Sequence, residues 1–104
     1  MKTSEVLRRV RKHLVDDGSG MAHHRYICYA LSELYLRGYI GDRDRTRVAR
    51  MIRNHLDGAQ TLEEWLVANH AIACEDTPEY KIKIMTTRKA WLDHLIEHYS
   101  TKGD

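Results

Sequence analysis

TPEYKIKIMTTRKAWLDHLIEHY, residues 77 to 99, decides the fold class of this chain. Its middle, Ile82 to Thr87, is β-branched enough to read as a short strand. No other segment offers a plausible partner strand, and a strand alone cannot be stable in water. At helical spacing the same residues make sense. Tyr80, Ile84, Thr87, Trp91 and Leu95 fall in one row, and Met85, Leu92, Ile96 and Tyr99 in an adjoining one. Thr77 followed by Pro78 is a cap with proline at the first helical position, where the missing N–H costs nothing. The stretch therefore predicts a long terminal helix of about 20 residues.

Working back toward the start, Thr61-Leu62-Glu63-Glu64 matches a capping box, with Thr61 placed to accept from the backbone three residues on and Glu64 to reach back. A fourth helix is expected from there through Trp65, Leu66 and Ala68 to about Ala73. Asp42 or Asp44 caps a third helix, in which Val48, Met51, Ile52, His55 and Leu56 share a face and Gly58 sits at the C-terminal glycine position. Ile27, Cys28, Leu31, Leu34 and Tyr35 make the apolar stripe of a second helix, running from Met21 or His24 to Arg37 and ended by Gly38 and Gly41. Val6, Leu7, Val10 and Leu14 define a first helix over Thr3 to Val15, with Thr3 or Ser4 as its cap. Asp16 to Gly20 is a cluster of turn formers that stops it. The expectation is an all-α fold, a compact bundle of four to five helices forming one domain over residues 1–104.

Composition agrees with such a domain. Hydrophobic residues make up 42% and charged residues 31% of the 104, a balance that supports a packed core rather than disorder. No apolar run approaches the roughly 20 residues needed to span a bilayer, and the first residues lack the apolar stretch of a secretory signal. A cytoplasmic protein with Cys28 and Cys74 reduced is the expectation. The net charge of +2 conceals an asymmetry: residues 1–56 carry twelve Lys and Arg against six Asp and Glu, and the remainder five against nine. The basic first half either faces an acidic partner or is neutralised by the later helices.

Four groups of residues bear on function. His24-x-x-x-Cys28 and His70-x-x-x-Cys74 each place two ligands on one helix face, and on adjacent helices the four would suit a tetrahedral zinc ion in a structural module. The competing reading makes Cys28 and Cys74 small buried apolar residues. His94 and His98 form another i,i+4 pair, but the glutamate of a metalloprotease helix does not follow His94, so both are expected on a solvated edge beside Asp93 and Glu97. Arg43, Arg45, Arg47, Arg50 and Arg53 crowd the third helix. Arg43, Arg47 and Arg50 are spaced to form a stripe opposite Val48 and Ile52, and with Arg8, Arg9, Arg11 and Lys12 they form a surface that can track phosphates. Tyr26, Tyr29, Tyr35 and Tyr39 lie within 14 residues while phenylalanine is absent, which suits a surface for a partner or a second subunit. Trp65 and Trp91 read as core anchors.

Catalytic signatures are missing: no Gly-rich phosphate loop, nucleophile elbow, dinucleotide fingerprint or paired carboxylates. Three blocks, Tyr26 to Leu31, Thr61 to Leu66 and Arg88 to Ile96, resemble small uncharacterised helical proteins encoded by tailed bacteriophages. That resemblance implies a setting, the bacterial cytoplasm during infection, and carries no functional residue with it. The resulting expectation is a small phage-type accessory protein, not an enzyme, that binds a host or phage protein stoichiometrically as an inhibitor or adaptor, without cofactor or membrane. Tyr29, Tyr35, Tyr39, Arg43, Arg47 and Arg50 are the candidate partner-binding residues. A nucleic-acid binder using helices one and three is the alternative, and self-association through the tyrosines is compatible with either.

Overall fold

The computed structural model describes residues 1–16, 24–54, 56–70 and 77–102, and within them every regular element is a helix. Five α-helices follow in order: α1 (Thr3–Asp16), α2 (His24–Leu36), α3 (Asp42–Asn54), α4 (Leu62–Ala68) and α5 (Pro78–Thr101), with a 3-10 turn at Leu56–Gly58 before α4. The segment that decides the fold class is indeed one helix, of 24 residues. Ile82 to Thr87 stays helical because its i→i−4 bonds are complete without any partner strand. No helix among the described residues is long and apolar enough to cross a membrane.

α1 is the central element. It packs against α5 on one side and α2 and α3 on the other, while α4 packs on α5. Val6, Leu7, Val10 and Leu14 supply its core face, met by Ile27, Ala30, Leu31 and Leu34 of α2, Val48, Met51 and Ile52 of α3, and Trp91, Leu92, Leu95 and Tyr99 of α5. The fully buried residues of α5 all fall in its second half. Its first three turns extend past the core beside α4, and Ile82 there is exposed. Trp91 is a core anchor, fully buried with its indole N–H donating to the Gln60 carbonyl at 2.9 Å. Trp65 is half-buried and donates to the Thr87 carbonyl at 3.0 Å, so the two indoles tie the α4 region to α5 from opposite sides.

The helix ends follow local chemistry. Thr77 Oγ1 accepts from the Tyr80 amide at 3.1 Å, with Pro78 in the first turn. Thr61 Oγ1 accepts from the Glu64 amide at 3.2 Å, and its hydroxyl donates to Glu64 Oε1 at 3.1 Å, so the glutamate closes the cap on the hydroxyl. α2 ends in a Schellman turn: Gly38 adopts φ +80°, its amide bonds to the Tyr35 carbonyl, and the Tyr39 amide bonds to that of Leu34. Two boundaries differ from expectation. α4 stops at Ala68, where Asn69 caps it and His70 turns into the left-handed region at φ 52°. α3 stops at Asn54, and Leu56 reaches the core from the 3-10 turn at φ 49°, not from a helix face.

Candidate interaction surface on helices α2 and α3

Amphipathic spacing turns four α2 positions away from the core. Arg25, Tyr29, Ser32 and Leu36 follow one another at intervals of four, three and four residues, which lines them along one outward seam. Leu36 is 80% and Tyr29 61% exposed, and Tyr39, just past the Schellman turn, is 56% exposed. Single apolar side chains are this open elsewhere, at Val67 and Ile82, but here Tyr29, Leu36 and Tyr39 fall on one helix and the turn that follows it. The core face of α2 is already filled by Ile27, Ala30, Leu31 and Leu34.

One groove is walled by the seam residues Tyr29 and Ser32, and a second meets α2 at Leu34 and Arg37, next to Leu36 in the chain. Between α2 and α3, Tyr29, Ser32, Arg45, Arg50 and Arg53 line a depression of about 440 Å³ whose described lining includes no carboxylate. Arg45 is held there by two contacts: an ion pair with Asp42 one turn back, and its guanidinium 4.5 Å from the centre of the Tyr35 ring. Arg43, Arg50 and Arg53 have no carboxylate within ion-pair distance among the described residues. On the other side, Arg9, Lys12, Arg37 and Tyr39 line a second depression of about 450 Å³ between α1 and the end of α2. Arg9 donates to the Tyr39 carbonyl at 2.7 Å, which fixes the turn after α2 against α1. His13 closes the floor of this groove through a 2.6 Å contact with Glu33.

The six candidate partner-binding residues thus divide. Tyr29, Tyr39, Arg43 and Arg50 stand exposed on the α2–α3 edge. Tyr35 has one ring face covered by Arg45. Arg47 is also exposed, but its guanidinium is committed to the start of the chain. It donates to Thr3 Oγ1, to the Met1 carbonyl at 2.9 Å and to Asp44 Oδ1 at 3.1 Å, and so clamps α3 to α1. Arg47 holds the Asp44 carboxyl below its ordinary pKa by that hydrogen bond, because the bond favours the ionised form.

The question of neutralisation resolves by location. Arg11 Nη2 donates to Asp93 Oδ2 of α5 at 3.2 Å and Arg8 to Ser100 Oγ at 2.9 Å, so one flank of α1 is matched by the last helix. Residues 24–54 carry seven arginines against three carboxylates, a net +4 that exceeds the charge of the whole chain. The basic excess is therefore concentrated on the α2–α3 edge.

The remaining candidates fall elsewhere. The zinc reading required α2 and α4 to be neighbours, yet the contacts run α2–α1–α5–α4 and the two do not touch among the described residues. Cys28 is half-buried in the α2–α3 groove and His70 is exposed on the turn after α4. Cys74 and the side chain of His24 lie outside the described residues, and within those described no three His, Cys, Asp or Glu side chains gather as a metal set. His94 and His98 are not on a solvated edge. Both are half-buried, because they adjoin the core positions Leu95 and Tyr99 on the helix surface. His94 stacks on Trp65 with centroids 4.9 Å apart, and His98 meets Tyr99 edge-on at 5.0 Å.

No protein family, curated protein or solved structure matches this chain. Function has to be argued from the α2–α3 edge itself. Sequence reasoning had named its tyrosines and arginines but missed Leu36. An unbroken outward spacing from Tyr29 to Leu36 was the available signal, hidden because leucine reads as core by default.

Proposed function

We propose that this protein works by stoichiometric binding, not catalysis, and that the α2–α3 edge is the surface that engages a host or phage protein in a bacterial cytoplasm, as a phage-type inhibitor or adaptor. The observation that carries the reading is the exposure of Tyr29, Leu36 and Tyr39 along one edge bordered by arginines. Tyrosine and arginine are the residue types that dominate binding energy at protein interfaces, and an exposed aliphatic residue on the same edge adds apolar area a partner can desolvate. The arginine-lined grooves also favour a second reading, in which the same edge follows a nucleic-acid backbone. Leu36 argues for protein, since an aliphatic side chain neither stacks on bases nor contacts phosphate.

The test is site-specific photocrosslinking. A photoreactive residue replaces Tyr39 in one version of the full chain and Ile82 in another, and both are irradiated in nuclease-treated bacterial lysate. A discrete heterologous protein adduct at position 39, absent at position 82 and lost on adding Leu36→Ala and Arg50→Ala, is the expected result. A dimer of this chain as the adduct, equal adducts at both positions, or none at position 39 would overturn the reading.

A further inference from the structure

We infer that the partner segment recognised by this edge is an acidic amphipathic helix, whose apolar stripe seats on the Tyr29–Leu36 seam while its flanking carboxylates drop into the two arginine grooves. The inference rests on the reading of the α2–α3 edge as the working surface and adds the chemistry of what it takes.

Three features lead there. The seam Arg25, Tyr29, Ser32, Leu36 has the four-three-four spacing that one helix presents to another packed alongside it. Its length from 25 to 36 is about 18 Å, or three helical turns, which suits a short helix better than an irregular loop. The grooves meet α2 on the two flanks of the seam, one at Cys28 and Ser32 and the other at Leu34 and Arg37. In paired helices those flanking positions carry the charges that choose the partner. Here both flanks are positive: Arg45, Arg50 and Arg53 on one side, Arg9, Lys12 and Arg37 on the other.

The charges themselves point to carboxylates. Arg50, Arg53, Lys12 and Arg37 have no carboxylate partner within ion-pair distance among the described residues. Five of the six groove cations are arginines, whose planar fork donates two parallel hydrogen bonds to a carboxylate. Glu33, the one acidic residue of α2 among those described, is engaged by His13 of α1 and lines neither groove. A partner with flanking lysines would meet unpaired arginines across both grooves, and that repulsion supplies the discrimination.

The probe is a 20-residue helical peptide with leucines at seam positions and glutamates on both flanks, labelled for fluorescence anisotropy and titrated with the intact protein. Its expected Kd is on the order of 10–100 μM at low salt, as befits a small interface. A peptide of identical composition in scrambled order should bind at least tenfold more weakly, and a lysine-flanked version not measurably. Leu36→Ala, and Arg50→Ala with Arg53→Ala, should each weaken binding by about five- to tenfold, and Ile82→Ala should leave it unchanged. All these positions are exposed, so circular dichroism should be the same for every variant. Equal binding of the scrambled peptide would reduce the surface to non-specific charge and overturn the inference. So would failure of the glutamate-flanked peptide, or tighter binding of a 20-nucleotide single strand that Leu36→Ala does not affect. If the peptide fails while the Tyr39 crosslink forms, the acidic helix is wrong and the surface stands; loss of both removes the surface itself.

Discussion

Replacing Trp91 by phenylalanine tests how the bundle is held together, because this one side chain serves both the core and the α4 junction. Trp91 is fully buried, and its indole N–H is a hydrogen-bond partner of the Gln60 carbonyl, just ahead of α4. Phenylalanine leaves roughly 40 Å³ unfilled, which at ~24 cal/mol per Å³ costs about 1 kcal/mol. It also takes the donor from the Gln60 carbonyl, a part-buried acceptor, which adds about 1 kcal/mol. The sum is about 2 kcal/mol, a drop of roughly 8–16 °C in Tm for a domain of this size. Trp65→Phe is the matched control. Trp65 is half-buried, so water can take over its bond to Thr87 and the change should cost about 1 kcal/mol. Urea unfolding followed at 222 nm reads both without depending on tryptophan fluorescence. A cost for Trp91→Phe below about 0.5 kcal/mol, or no larger than for Trp65→Phe, would refute the reasoning.

Three further outcomes follow from local features. Thr77→Ala and Thr61→Ala each remove a cap that accepts a backbone N–H, and each should cost about 1 kcal/mol, with faster hydrogen exchange confined to the first turn of α5 or α4 respectively. Gly58→Ala should cost about 1 kcal/mol from backbone strain alone, since φ is +87° with open space at the added carbon, whereas Gly41→Ala, equally open but without a left-handed φ, should be near neutral in thermal melts. Asp44 titrates below its ordinary value when folded, so its contribution is present above about pH 4 and is lost as pH falls through the folded value. Melts from pH 6 down to 2 should show Asp44→Asn losing stability less steeply than the parent, and identical slopes would remove the Arg47–Asp44 clamp from the account.

Much of this molecule could be read before any coordinates. The rows Tyr80–Leu95 and Met85–Tyr99, the Thr77-Pro78 and Thr61–Glu64 signals and the glycines at 38 and 58 are local matters, settled by backbone sterics and by which amides a nearby side chain can reach. They set an all-α chain and placed most helix boundaries within a residue or two. Where α4 ends was not legible, because Asn69-His70 carries no strong stop signal and a left-handed His70 depends on what surrounds it, including Lys83 donating to its carbonyl.

Which faces meet was decided only in three dimensions. Spacing put His24 with Cys28 and His70 with Cys74, yet could not say that His70 falls beyond α4, or that α2 and α4 make no contact among the described residues, with α1 and α5 packed between them in the order of contacts. It made Arg43, Arg47 and Arg50 equivalent, whereas docking of α3 on the start of α1 engaged Arg47 with Met1 and Thr3 and left Arg50 facing a groove. It put Cys28 and Tyr35 in the apolar stripe of α2, but the core closed with Ile27, Ala30, Leu31 and Leu34 and left Tyr35 exposed. The physical reason is common to all three. Helical period fixes a side chain's angle around its own axis, and only the positions of neighbouring axes determine whether that angle points at protein or at water.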